Sequence, residues 1–236
     1  MIELQNFSIG YRGNTLVSCD TARFTPGTLT ALIGRNGTGK STLLRAIAGL
    51  SQNYTGTIAI DSRPLKELTP RELARTVAFV STARIRPANL LCSDVVALGR
   101  SPYTGWSGSL SAADRQAVSE ALAMVGMADY APRFIDTLSD GEYQRIMIAR
   151  AIAQDTHSVL LDEPTSFLDL PNRYALCRLL AELAHKHHKT ILFSTHELDL
   201  ALEMTDEIAL IDNRTLHTAP SAEMRATGYI QSLFNL

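Results

Sequence analysis

TLTALIGRNGTGKSTLLRAIA, residues 28–48, is the stretch on which the fold turns. Thr28, Leu29, Thr30, Ala31, Leu32 and Ile33 form a short apolar run of the kind that becomes a buried strand. Thr42, Leu43, Leu44, Arg45, Ala46, Ile47 and Ala48 carry apolar residues at helical spacing. Between the two runs, Gly34, Arg35, Asn36, Gly37, Thr38, Gly39, Lys40 and Ser41 fit the pattern G-x-x-x-x-G-K-[ST]. Glycines in that pattern let backbone N–H groups wrap a phosphate, and the helix N-terminus adds favourable partial charge. Lys40 supplies a point charge to terminal phosphates, and Ser41 offers a hydroxyl to Mg²⁺. A glycine-rich turn with a chance lysine would not come with a strand before it and a helix after it.

Outward from this loop, strand-like runs recur at 2–9, 14–19, 55–60, 77–80, 158–161, 190–194 and 206–211. Helical spacing recurs at 40–48, 111–125, 141–154, 171–187, 197–204 and 221–234. Alternating strands and helices predict an α/β core with a mostly parallel sheet. The first 30 residues and the 55–60 run lack intervening helices, which predicts a small antiparallel β subdomain attached to that core. Residues 84–155 hold helical patterns and almost no strand signal, so they read as an inserted helical subdomain. The whole chain, 1–236, is expected to form one domain with lobes.

The wider composition excludes several classes. With 236 residues, 45% hydrophobic and 19% charged, the chain can bury a full core and is not disordered. A net charge of −2 lacks the basic footprint of a dedicated nucleic-acid binder, so no nucleic-acid partner is expected. No apolar run approaches the roughly 18 residues that a membrane helix needs, and the start does not read as a signal peptide. Cys19, Cys92 and Cys177 form no CxxC pair and read as reduced, buried thiols.

A second motif completes a candidate site. Ser158, Val159, Leu160 and Leu161 make an apolar strand that ends in Asp162 and Glu163, followed by Pro164, Thr165, Ser166, Phe167, Leu168 and Asp169. Ligands of parallel sheets sit at strand C-terminal ends. Asp162 there can hold Mg²⁺, and Glu163 is left to polarise an attacking water. Phe193, Ser194, Thr195 and His196 bring a protonatable group to the same edge from another strand. His185, His187 and His188 end a long helix, where they suit the dipole and solvent better than a metal.

With these parts in place, the chain resembles the ATP-binding subunits of ABC transporters. Leu138, Ser139, Asp140, Gly141, Glu142, Tyr143, Gln144 and Arg145 look like that family's LSGGQxQR signature, and they precede the Asp162 strand as in the family. The resemblance runs from Tyr11 to the region of Asp212. It implies a P-loop ATPase fold, ATP and Mg²⁺ as cofactors, and a head-to-tail dimer of two copies. ATP would lie between residues 34–42 of one copy, Thr42 included, and Leu138, Ser139, Asp140, Gly141 and Glu142 of the other. By the same analogy Tyr11 stacks on adenine, Glu163 acts on the water, His196 contacts the γ-phosphate, and Asp169 joins the two sites.

The sequence departs from the family at three positions. Asp140 stands where the signature usually has Gly, and Glu142 where it has Gln; acidic groups near a triphosphate repel it unless they point away. Thr82, after the 77–80 strand, occupies the place of a glutamine that reaches Mg²⁺. Threonine keeps an oxygen but loses the amide and most of the reach.

Residues 95–106 and 196–202 are similar to the subgroup serving iron–siderophore, haem and cobalamin importers. That likeness implies polytopic permease subunits, an indirect link to a substrate-binding protein, and a peripheral place on the cytoplasmic face of the membrane. Two other readings stay open on sequence alone: a nucleotide-gated regulatory module with weak hydrolysis, and a soluble ABC ATPase not linked to transport.

Overall fold

The computed structural model describes residues 1–226 apart from Arg12, residues 84–87, Ser107 and Phe167. The predicted 221–234 helix therefore falls partly outside the described residues, which hold its start as Ser221–Ala226.

The chain begins with a long hairpin, β1 (Ile2–Tyr11) and β2 (Asn14–Phe24). β3 (Leu29–Ile33), every residue buried, feeds the phosphate loop and α1 (Lys40–Ile47). β4 (Tyr54–Ile60) and the two-residue β5 (Arg63–Pro64) return to the hairpin, and α2 (Pro70–Thr76) leads into β6 (Val77–Val80). Three helices follow: α3 (Cys92–Ala97), α4 (Ala112–Met124) and α5 (Asp140–Ala153). The core then resumes with β7 (Ser158–Leu161), α6 (Leu170–His187), β8 (Thr190–Ser194) and α7 (Leu198–Met204). β9 (Glu207–Asp212), β10 (Thr215–Pro220) and α8 (Ser221–Ala226) close the described chain.

The strands form one mixed sheet in the order β5-β4-β1-β2-β10-β9-β3-β8-β7-β6. β9, β3, β8, β7 and β6 run parallel, and their buried faces explain their near-continuous apolar sequences. The β1, β2, β4 and β5 arm is antiparallel, as expected. Its attachment to the core runs through β10, which meets it in a single parallel pairing, Thr215 with Ser18. β10 pairs in full only with β9, and it carries too few apolar residues to announce itself.

The helices missed by periodicity are α2, which buries none of its residues, and the six-residue α3. α2 is specified at its start instead. Thr69 and Glu72 form a reciprocal capping box and Pro70 occupies the first turn.

α3, α4 and α5 pack on one another and share the larger apolar core with the faces of β3, β7 and β8. Arg100 fastens this group. Its Nε donates to Asp114 Oδ1 at 2.9 Å on α4, and its Nη1 donates to the Ala153 carbonyl at 2.8 Å at the end of α5. Hydrogen bonds from Ser111, then the Arg100 guanidinium, hold the Asp114 carboxyl down at about 2. The second core lies between α1 and the other face of the sheet, with Phe7, Phe24, Leu43, Leu44 and Ile47 fully buried.

Cys19, Cys92 and Cys177 are all buried, and burial pushes the thiols of Cys19 and Cys177 up to about 11 and about 12. Such thiols stay protonated and unreactive. No helix among the described residues is long and apolar enough to cross a membrane.

Candidate nucleotide site

Parallel register brings the C-terminal ends of four strands to one edge. Leu32 lies beside Ser194, Leu161 beside Phe193, and Val80 beside Leu161. Two further backbone bonds tighten this edge: Asp162 N donates to Val80 O at 2.8 Å, and Thr195 N donates to Leu32 O at 3.1 Å. The phosphate loop, Thr82, the acidic pair and the His196 loop all leave the sheet from there.

The loop conformation explains its glycines. Gly37 and Gly39 sit at φ +79° and +103°, a left-handed region that side chains rarely adopt. A Cβ on Gly39 would also lie 2.8 Å from Val17 Cγ2, so the hairpin arm packs directly on the loop. The N-terminus of α1 has no side-chain cap and no acidic residue in its first turn. Its free N–H groups and the open space over Gly37 therefore form a cradle that fits a phosphate.

Lys40 is 6% exposed, and its Nζ donates to Gly34 O at 2.8 Å and, more weakly, to Arg35 O at 3.4 Å. Burial lowers its pKa, while the charges of Glu163 and Asp162 pull the other way. The ammonium is thus held within the field of both carboxylates.

Asp162, 6% exposed, is the hub. Its Oδ1 accepts from Ser41 Oγ at 2.9 Å and from Ser194 Oγ at 2.7 Å. Its Oδ2 accepts from Thr82 Oγ1 at 3.0 Å. One carboxylate ringed by hydroxyl oxygens is a hard-oxygen set that suits Mg²⁺, with Ser41 and Asp162 as the residues to hold it. Despite its lost reach, Thr82 touches this group, because β6 ends beside β7 and leaves its hydroxyl against Asp162.

Ser194 was not among the sequence candidates, although it lies in the quoted Phe193–His196 run. Its hydroxyl donates to Asp162 and accepts from Glu163 N at 2.9 Å. Glu163 itself takes φ +48°, a strained conformation for a side-chain-bearing residue and one that recurs at functional sites. Glu163 Oε2 accepts from Ser166 Oγ at 3.0 Å. His196 follows β8 and is exposed.

Tyr11 is 52% exposed at the tip of the β1–β2 hairpin, paired with Asn14. It lies a few residues along the hairpin from the Leu16 and Val17 side chains that face Gly39. Asp169, exposed, caps α6 by accepting from Asn172 N at 3.1 Å.

The signature residues make other contacts. Ser139 is the N-cap of α5, and Glu142 closes a capping box with it. Glu142 Oε2 accepts from Ser139 N at 2.8 Å and Ser139 Oγ at 2.7 Å, while the Tyr130 hydroxyl also bonds the carboxylate. Those bonds, that from Tyr130 first, hold the Glu142 carboxyl below its usual range. Glutamic acid at this position is therefore a helix-capping residue, a role that S-x-x-E spelled out in the sequence. A Cβ on Gly141 would lie 3.3 Å from Leu168 Cδ2, so the signature abuts the segment that carries Asp169. Leu138 is buried, and Asp140 is the first residue of α5.

Two of the three helix-end histidines have structural roles. His185 Nε2 lies 2.8 Å from Asp206 Oδ2, and His188 takes the left-handed C-cap of α6 at φ +50°.

Thr82→Gln tests the unusual position. The glutamine amide can donate to the same Asp162 carboxylate that Thr82 Oγ1 meets, so only about 1 kcal/mol is at stake; ATP affinity is expected to change by no more than roughly fivefold, with a modest change in turnover. Equilibrium nucleotide titration and steady-state turnover check this; complete loss of binding would mean that Thr82 is not the counterpart of the family glutamine.

Comparison with known proteins bears on this geometry. A family model described as "ABC transporter" matches residues 20–166. The achromobactin transport ATP-binding protein of Dickeya dadantii is 35% identical over 237 residues, covering 100% of this chain and 88% of that protein. Among solved structures, an inward-facing metal-chelate type ABC transporter aligns with a TM-score of 0.85 at 28% identity, over 100% of this chain and 89% of that one. A dimeric bacterial ABC transporter cassette aligns with a TM-score of 0.81 at 26% identity, over 94% and 99%.

Proposed function

The chain belongs to the ABC transporter family, and from that premise we propose that it is the ATP-hydrolysing subunit of an importer for an iron–siderophore or a related metal chelate. The observation that carries the catalytic part is the Asp162 cluster. Ser41 of the phosphate loop, Thr82 and Ser194 converge on one buried carboxylate, with Glu163 adjacent and Lys40 in the field of both. The named relative and the metal-chelate structural neighbour support the substrate class.

In this reading the N–H groups of residues 34–42 and the Lys40 ammonium bind the β- and γ-phosphates of ATP. Ser41 and Asp162 would hold Mg²⁺, with the Thr82 hydroxyl bonded to the same Asp162 carboxylate; the ion, when bound, would neutralise phosphate charge. Glu163 takes a proton from the attacking water, and its backbone is fixed for that task by Ser194. His196 donates to the γ-phosphate. Tyr11, on the arm that packs against Gly39, stacks on the adenine.

A single copy leaves the γ-phosphate open on one side. Two copies are proposed to pair head-to-tail, so that Ser139, Gly141 and the N-terminus of α5 of one complete the cradle of the other. The proximity of Gly141 to Leu168 supports placing Asp169 at the same junction. Residues 84–155 are proposed as the helical subdomain of one nucleotide-binding domain spanning 1–236. Polytopic permease subunits at the cytoplasmic face supply the membrane-spanning part, and a substrate-binding protein delivers the chelate. Mg²⁺-dependent ATP turnover, measured with the permease subunits present, tests the proposal. Turnover at background that Glu163→Gln leaves unchanged would refute it.

A further inference from the structure

The His196 loop and the Asp169 loop leave different strands, yet one half-buried ion pair ties them together. Glu197, next to His196, presents both carboxylate oxygens inward. Its Oε1 accepts from Thr165 Oγ1 at 3.0 Å, and its Oε2 accepts from Arg173 Nη1 at 2.9 Å. Thr165 is 1% exposed and lies two residues after Glu163. Arg173, on the first turn of α6, uses its Nε to donate to the Leu168 carbonyl at 2.7 Å, the residue before Asp169. Glu197 N also donates to Thr195 Oγ1 at 3.1 Å, which fixes the turn that carries His196.

From this geometry we infer that Glu197 and Arg173 are positioning residues that clamp the His196, Glu163 and Asp169 segments into one unit. The inference rests on the ATPase reading and adds to it a route by which pairing at Asp169 sets the catalytic loops. The connection after β7, which carries Glu163 and Asp169, and the connection after β8, which carries His196, have little regular structure to hold their relative placement. The guanidinium supplies it because its planar fork reaches two acceptors at once, a carbonyl on one loop and a carboxylate on the other. Small misplacement of catalytic groups costs rate steeply while leaving the phosphate loop, which binds ATP, untouched.

The test combines Glu197→Gln, Arg173→Met and the double variant. Glu197→Gln keeps an oxygen for Thr165 but loses the charge that Arg173 meets. Each single variant is expected to lower kcat about 10-fold, within the range of measured couplings, with KM for ATP held within about twofold. The double variant is expected to be no worse than the weaker single, because both changes cut the same link.

Amide hydrogen exchange supplies a readout independent of turnover. Arg173→Met should raise exchange in both residues 163–166 and 194–198. Unchanged kcat, a loss confined to KM, multiplicative losses in the double variant, or faster exchange in one segment alone would overturn the clamp. If the unmodified protein shows no Mg²⁺-dependent turnover, the ATPase reading fails, and the exchange result alone decides whether the clamp exists.

Discussion

Glu163→Gln is expected to lower ATP turnover by about 10²- to 10⁴-fold, the contribution typical of a positioned general base, while leaving nucleotide binding intact. The substitution is nearly isosteric, and the amide still offers an oxygen to Ser166, which now bonds Oε2 at 3.0 Å. The backbone bond from Glu163 N to Ser194 Oγ does not involve the side chain, so the left-handed turn persists. Removing one negative charge beside the terminal phosphate also lessens repulsion, so ATP affinity should rise if it moves at all. Single-turnover hydrolysis and equilibrium ATP binding, measured on the same preparation, separate the two effects. A variant that hydrolyses at the normal rate would exclude Glu163 as the base.

Lys40→Ala has the opposite signature. It is expected to weaken ATP binding roughly 100-fold, since a hydrogen bond to a charged group is worth about 1.5–3 kcal/mol. The loss acts on binding and turnover together, because the ammonium is the buried cation of the phosphate loop and lies in the field of two carboxylates. Stability should not fall in parallel. Burial is the largest influence on Lys40 and lowers its pKa, so the folded state holds the charged form at a cost that alanine removes. That cost offsets the hydrogen bonds that Nζ gives to the Gly34 and Arg35 carbonyls, so thermal unfolding without nucleotide is expected at a similar temperature to that of the unmodified chain. A marked drop in that temperature would make lost ATP binding a folding defect instead.

The parts that could be read from sequence were those encoded locally. The phosphate loop between β3 and α1 needs only a strand run, a glycine pattern and a helix run in succession. The Asp162–Glu163 pair is equally local, because a strand end and its ligand face coincide. The parallel sheet and its attached antiparallel arm followed from the order of the elements, but β10, the strand that unites them, did not. That union depends on Thr215 meeting Ser18 across most of the chain, and no spacing within either strand encodes it.

Glu142 illustrates a signal that was present and misweighed. Compared with a family pattern it is a departure; compared with helix chemistry, Ser139 and Glu142 are a capping box. Thr82 shows the reverse: its short side chain suggested a lost contact, yet the β6–β7 register delivers its hydroxyl to Asp162. Ser194 and the Glu197–Arg173 pair escaped notice for a common reason. Their partners lie 24 to 32 residues away, on different elements and loops, so only the folded sheet edge brings them together.

The central claim is that each ATP site is built from two copies of the chain, and mixing two inactive variants tests it most directly. Lys40→Ala removes the phosphate-binding half, and Ser139→Phe blocks the signature half at the start of α5. Each alone should turn over no ATP, because every site in its dimer lacks one half. Mixed in equal amounts, half of the dimers combine the two variants, and each of those contains one intact site. Turnover should therefore recover to roughly a quarter of the unmodified value, as expected for random pairing in a symmetric dimer. A mixture as inactive as its components, under conditions where the chains exchange partners, would contradict a site shared between copies.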